Sequence, residues 1–166
     1  VLLHELNKDE YAKDFLKHLA NYNVSENSET LAANLSTEIG RYDYAIQISK
    51  TASYEKRFIN DYNFPIISTP VKINNKKMPN QEIILAIIRQ ESEFDSKANS
   101  NAGAKGMMQL MTYTAKLISK QAKLSYSKSK LTKNPDYNII LGSYYFATLL
   151  EEFDGSYPFA IAGYNA

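Results

Sequence analysis

Prolines divide this chain. Pro65, Pro70 and Pro79 fall within residues 62–79, with a β-branched stretch, residues 66–73, between them. Proline fixes φ, donates no backbone N–H and pushes the preceding residue away from helix. No helix can run through this segment, so it reads as an extended crossing piece and as the boundary between two parts of the chain. Before it, Leu2, Leu3, Leu6, Phe15, Leu16 and Leu19 recur at helical spacing, which predicts one or two amphipathic helices over residues 2–22. A polar break at 25–29 follows. Leu31, Leu35 and Ile39 then repeat every four residues up to Gly40, a helix-stopping C′ residue, and a further helix starts at Tyr42 and carries Tyr44, Ala45 and Ile48. Short helix pairs of this kind suit the end of a helical array. After the break, helices are expected at about residues 80–93, 112–122, 135–152 and 158–164. Asn134 supplies an N-cap and Pro135 the first helical residue of the third. The expected fold class is mostly α, with a helical segment at 1–61, a connecting segment at 62–79 and a second domain at 80–166.

Composition removes several chemistries. With 166 residues and 44% hydrophobic side chains the chain can bury a sizeable core. It has no cysteine, which excludes disulfides and thiolate chemistry. Its two histidines, His4 and His18, lie far in sequence from the other reactive-looking residues, so neither a metal site nor any cofactor is expected. No apolar run reaches the roughly 18 residues of a membrane span, so no integral membrane segment is expected. A net charge of +1 argues against nucleic acid as the partner. The chain begins with Val and carries no signal peptide, as a mature or excised piece would. Charge is nonetheless unevenly spread. Residues 96–135 hold eight lysines and no acid, while 136–166 hold four acids and no base. Such a one-sign block is either a solvated face or a surface turned toward an anionic polymer.

One helix carries an unusual carboxylate. Over residues 81–94, Ile83, Ile84, Leu85, Ile87 and Ile88 form a broad apolar face, and Glu91 follows Ile84, Ile87 and Ile88 at spacings of seven, four and three. Glu91 therefore projects from the apolar face, with Arg89 and Glu93 opposite. Burial and the negative end of the helix dipole both penalise its ionised form. A carboxyl kept protonated near neutral pH suits a general acid; it also suits a buried glutamate bonded to backbone. Downstream, Gly103 and Gly106 allow close backbone approach, Met107, Met108 and Met111 can fill gaps in a core, and Gln109 needs partners for its amide.

Four separated blocks in this order give a more specific indication. They are Glu91-Ser92-Glu93-Phe94; Ala98, Ser100 and the run from Ala102 to Met111 containing Gly106-Met107-Met108-Gln109; Asn138-Ile139 with Gly142 and Tyr144; and Ala162-Gly163-Tyr164-Asn165-Ala166. Together they resemble the soluble lytic murein transglycosylases, over about residues 70–166. Residues 1–60 resemble the helical superhelix that precedes the catalytic domain in large members. The resemblance implies a lysozyme-like, mostly helical domain, C-terminally incomplete at Ala166, since the family's sequence continues past this block to close the cleft. It implies Glu91 as the single catalytic acid/base and Ser92 as a support for the helix end. Ser100, Met108, Gln109 and Met111 are implied as groove-lining residues, and Tyr164 and Asn165 as neighbours of the carboxylate. The implied partner is the peptidoglycan glycan strand, in the periplasm. The implied reaction cleaves the β-1,4 bond between N-acetylmuramic acid and N-acetylglucosamine and leaves a 1,6-anhydro end, with Tyr164 orienting the acetamido group. A goose-type-lysozyme-like hydrolase, a non-enzymatic helical interaction module and an anionic-surface binder remain as alternative readings.

Overall fold

The computed structural model describes residues 2–21 and 27–166. It divides into two compact units, Val1–Ile66 and Ile67–Ala166. The first holds α1 (Leu2–Glu5), α2 (Asp9–Asn21), α3 (Ser28–Glu38), α4 (Tyr42–Tyr54) and α5 (Asn60–Asn63). The polar break expected at 25–29 lies partly outside the described residues. Gly40 ends α3 as expected. At φ +71 it takes the left-handed C′ position, its N–H reaches the Thr37 carbonyl at 2.9 Å, and the Arg41 N–H reaches Ser36 at 2.8 Å. This is the paired bonding of a Schellman motif.

The core of this unit differs from the leucine pattern. Leu2, Leu6, Phe15 and Leu31 are all exposed. The buried set is Leu16, Ala20, Ala32, Ala33, Tyr44, Ala45 and Ile48. Small side chains on α2, α3 and α4 let the helix backbones approach, and that close packing outweighs the burial of larger residues on neighbouring faces. Arg41 joins the helices electrostatically. It binds Asp43 through two nitrogens, at 2.6 and 2.9 Å, reaches Asp9 at 3.4 Å and stacks over the Tyr44 ring at 3.7 Å.

The second unit starts with a hairpin that sequence periodicity does not reveal, β1 (Lys72–Ile73) and β2 (Lys76–Lys77), antiparallel with Ile73 opposite Lys76. It lies inside the segment expected to be extended. Then come α6 (Gln81–Ser92), α7 (Thr112–Gln121), α8 (Lys130–Lys133), α9 (Pro135–Glu152) and α10 (Tyr157–Tyr164). The four longer helices match their expected ranges within two residues at each end. The short α8 falls where a polar loop was expected. Asn134 caps α9 by accepting the Tyr137 N–H at 3.0 Å, with Pro135 inside the first turn. The core gathers Met78, Leu110, Ala115, Ile118, Leu131, Leu141 and Ala147 around α7 and α9.

Asn138, fully buried on α9, ties three segments together. Its Oδ1 accepts the Met108 N–H at 2.8 Å, and its Nδ2 donates to the carbonyls of Lys105 at 2.9 Å and Leu131 at 3.0 Å. Gly106 makes this possible. At φ +74, a Cβ there would lie 2.1 Å from the Leu131 carbonyl oxygen and 2.4 Å from Asn138 Nδ2. One turn on, a Cβ at Gly142 would meet Met108 Sδ at 2.3 Å. Loop 105–110 is therefore pressed directly onto α9. An Asn138→Asp variant keeps the shape but cannot donate to two carbonyls. The Lys105 carbonyl keeps the Leu110 N–H at 3.1 Å, whereas the Leu131 carbonyl loses the amide, and an orphaned buried group costs about 1–3 kcal/mol, so chemical denaturation should show a loss of about that size with an unchanged m-value.

Candidate active site

The site is built on α6, and the stripe that faces it is narrower than the apolar face as a whole. Ile84 and Ile88 are fully buried in the core. Ile83, Ala86, Ile87, Gln90 and Glu91, spaced three and four apart, instead line a cavity of about 210 Å³ together with Phe146 of α9 and Ile161, Tyr164 and Asn165 at the end of the unit. Glu91 is the one carboxyl in that lining. No hydrogen bond or ion pair holds it among the described residues, and desolvation alone raises its pKa above the ordinary 4.5. Glu93, two residues on, is engaged elsewhere, 3.2 Å from Arg89. The chain leaves α6 sharply through Glu93 and Phe94, both with positive φ (52 and 66), while the Phe94 ring is buried. Two consecutive non-glycine residues in this region carry local strain, and they lie directly beside Glu91.

Ser92 and Tyr164 hold the loop opposite. Ser92 Oγ donates to the Met107 carbonyl at 2.7 Å, with the Ile88 carbonyl at 3.4 Å as the weaker alternative. The Tyr164 hydroxyl donates to the next carbonyl, Met108, also at 2.7 Å. Consecutive carbonyls of one loop are thus tied to α6 and α10, while the Met108 N–H is tied to α9. The Tyr164 ring packs between Tyr145 (centroids 5.1 Å apart) and Phe146 (6.0 Å). Burial pushes its phenol well above the usual 10, and the neighbouring Glu91 charge pushes the same way. The two groups therefore sense each other across the cavity.

The remaining expected site residues are placed differently. Asn165 lines the cavity and donates Nδ2 back to the Ile161 carbonyl at 3.0 Å. Met108 is a correction. Its side chain has no exposed surface and is wedged against Gly142, so it fills the core and offers no contact to a ligand. Ser100 closes the 100–104 turn by accepting the Ala104 N–H at 3.0 Å. Gln109, at φ +44, donates its amide to the Gly106 carbonyl at 2.8 Å. Met111 is 45% exposed at the start of α7. Ser100, Gln109 and Met111 are not among the residues that line the cavity at Glu91. Gln90, Phe146 and Ile161 were missed. Gln90 carries a signal that could have found it, since it shares the three-and-four spacing of Ile83, Ile87 and Glu91.

Comparison with known proteins agrees with this architecture. The chain matches the crystal structure of the 70-kDa soluble lytic transglycosylase of Escherichia coli over 99% of its own length and 26% of that chain, with a TM-score of 0.79 and 27% identity. It matches the inactive Glu-to-Gln mutant of the lytic transglycosylase Slt of Pseudomonas aeruginosa with a TM-score of 0.78 and 32% identity, covering 99% of this chain and 26% of that one. The fold is the lysozyme-like, mostly helical fold of the lytic transglycosylases. By sequence, the soluble lytic murein transglycosylase of E. coli K12 is 35% identical over 97 residues, 56% of this chain and 14% of that relative. Residues 69–166 match the family described as the Transglycosylase SLT domain, and the chain belongs to that family. It spans 14% of the length of that curated relative and about a quarter of the solved ones.

Two stability predictions follow from the site. A carboxyl whose pKa is raised by folding is ionised in the unfolded chain before it ionises in the folded one. Its contribution therefore disfavours the folded state progressively as pH rises from 4.5 through the raised folded value. Glu91→Gln should remove this decline, so thermal melts between pH 4 and 8 should show the variant equal to the parent at pH 4 and at least as stable at pH 8. Tyr164→Phe should behave oppositely. The hydroxyl has a buried carbonyl partner, so its loss should cost about 1–3 kcal/mol in denaturant unfolding.

Proposed function

We propose that the chain is the catalytic part of a peptidoglycan lytic transglycosylase acting in the periplasm, with Glu91 as its single acid/base. The observation that carries this reading is a lone, unpaired, partly desolvated carboxyl opening into an otherwise apolar cavity. Ordinary glycosidases use two carboxyl groups, and the cavity offers one. The inactive Glu-to-Gln variant of the P. aeruginosa relative supports dependence on a glutamate.

In this mechanism the Glu91 carboxylic acid protonates the glycosidic oxygen between N-acetylmuramic acid and N-acetylglucosamine as the C1–O bond breaks. The substrate's own N-acetyl oxygen stabilises the positive charge at C1. Glu91, now a carboxylate, takes the proton of the C6 hydroxyl, and O6 bonds to C1. The products are a free N-acetylglucosamine end and a 1,6-anhydro-muramoyl end. No water is consumed and Glu91 ends as it began. The low polarity around Glu91 favours its neutral form at the start, as a general acid requires. Tyr164 has given its proton to Met108, so it presents a lone pair rather than a donor. Its fitting role toward the acetamido group is to accept the N–H, which turns the carbonyl oxygen toward C1.

Glu91→Gln should abolish release of anhydro-muropeptides from sacculi, read by mass spectrometry, while far-UV circular dichroism stays unchanged. Release by the variant at near the parental rate would remove Glu91 from the mechanism. Products heavier by one water would assign a hydrolase on the same scaffold. With Glu91 intact, turnover should fall as pH rises through its raised pKa, since the first step needs the proton.

A further inference from the structure

We propose that α7, the loop after it and α8 form a carboxylate-binding face that holds the protein on peptidoglycan through the acidic groups of its stem peptides, outside the cavity at Glu91. The proposal rests on peptidoglycan being the substrate. Lys116, Lys120, Lys123, Lys128, Lys130 and Lys133 are all exposed on this stretch, and the sequence around them from residue 96 to 135 contains no acid. None of the six forms an ion pair among the described residues. Lys130 alone has a charged-group contact, its Nζ 5.8 Å from the centre of the Tyr137 ring. Two other cations of the same unit are matched, Lys76 with Glu151 at 2.6 Å and Arg89 with Glu93 at 3.2 Å. Asp136, exposed in the first turn of α9, is the acid that borders the face in sequence.

The backbone that displays these lysines is fixed. The α7 end closes in a Schellman motif, with the Leu124 N–H on the Ser119 carbonyl at 2.8 Å and Lys123 at φ +52. Asn74 of the hairpin donates to the Ala122 carbonyl at 2.6 Å. Tyr137 holds the next turn from both sides, donating to the Ser125 carbonyl at 2.9 Å and accepting the Ser127 N–H at 3.0 Å. Leu131 is fully buried, and its carbonyl is the one held by Asn138. An ordered scaffold of one charge sign repels itself. Lys116 and Lys120 sit one helical turn apart, a spacing at which like charges destabilise a helix. An anionic partner removes that cost and finds the backbone already in place. The neutral glycan offers no such attraction, whereas stem peptides offer carboxylates at intervals on flexible arms. Those arms suit lysine's compact charge on a long stem better than arginine's fixed fork.

The test is co-sedimentation with sacculi in a Glu91→Gln background, so that the polymer stays intact. Two sets of changes are compared, Lys116→Gln with Lys120→Gln and Lys123→Gln, and Lys128→Gln with Lys130→Gln and Lys133→Gln. Each set should weaken binding to untreated sacculi by about threefold to a hundredfold, the range that three exposed ion pairs allow. Each should leave the melting temperature unchanged or raised. Sacculi whose carboxyls have been amidated should bind the unsubstituted lysine face as weakly as the variants bind untreated ones. Undiminished binding by both variant sets, or equal binding to amidated sacculi, would overturn the proposal. So would lysine-dependent binding seen only with vesicles containing anionic phospholipid. Cleavage is scored separately with Glu91 intact. Carboxylate-dependent binding without anhydro products would sink the proposed reaction and leave this face standing.

Discussion

Asn138 is the group on which the second unit depends. A primary amide offers two donors and an acceptor with two lone pairs, and here three of those capacities are spent on three separate backbone groups, one before, one after and one beyond Gly106. The Lys105 carbonyl also accepts the Leu110 N–H, at 3.1 Å, across an antiparallel bridge. The amide therefore adds to that bridge and holds the Met108 N–H and the Leu131 carbonyl beside it. Gly106 and Gly142 are the steric complement. Both sit where a Cβ would strike the loop or the amide, so the contact between loop and helix is set by backbone thickness. Once the loop is fixed there, its Met107 and Met108 carbonyls become fixed acceptors, and Ser92 and Tyr164 are oriented by donating to them. Position passes from a core amide to a loop, and from the loop to the residues beside Glu91.

Glu91 has a different relation to the fold. Its neighbours Ser92, Tyr164 and Asn165 all spend hydrogen bonds on backbone, whereas Glu91 spends none among the described residues and is raised in pKa by desolvation alone. An unpaired, partly buried carboxyl is a cost, and a sequence under selection for stability alone would replace it. The cost is met locally by the close packing of α6 through Ile84 and Ile88 and by the anchored Phe94 beyond it. Glu91 lies in the last turn of α6, where the negative end of the helix dipole acts in the same direction. The left-handed turn at Glu93 and Phe94 then carries the chain away from the axis immediately past it.

The long helices of the second unit were legible because their signals are local. Asn134-Pro135 marks the start of α9, Gly155 and Pro158 separate α9 from α10, and the isoleucine pattern marks α6. The hairpin at 72–77 was not legible, since two residues per strand cannot establish an alternating pattern. Nor was α8, a single turn stabilised by burial of Leu131 and by the Asn138 amide, contacts that a four-residue pattern cannot encode. In the first unit the leucine repeat pointed to the core in part: Leu16 is buried and Leu19, Leu35 and Ile39 pack against it, while Leu2, Leu6, Phe15 and Leu31 are exposed, and the alanines that join the helices leave little periodic trace. At the site, the position of Glu91 on the apolar side could be read from spacing. Of the residues around it, Tyr164 and Asn165 were expected from the family resemblance, whereas Phe146 and Ile161 carried no such signal. Ser100, Gln109 and Met111 follow Glu91 closely in sequence, yet the cavity is completed by Phe146, Ile161 and Tyr164, brought in by the packing of α9 and α10. Met108 sat in a family-like block for a reason of packing, with its backbone at the site and its side chain in the core.

The placement of hydrogen bonds also decides what a substitution can reveal. Ser92 and Tyr164 each donate a proton to the backbone of the same loop, so removing either hydroxyl disturbs the loop's position and the site's chemistry together, and a loss of turnover cannot be divided between them. Glu91 has no such partner. Replacing its carboxyl with an amide of the same shape removes the acid while relieving a desolvation cost, so stability and turnover must move in opposite directions. A structural glutamate would show the reverse, both falling together as its partners lost theirs. The opposing signs arise because no protein group among the described residues pairs this partly desolvated carboxyl, in a cavity whose other walls are almost wholly apolar. Local rules of burial and pairing are broken here and met at the neighbouring residues, which is how a site differs physically from the core that supports it.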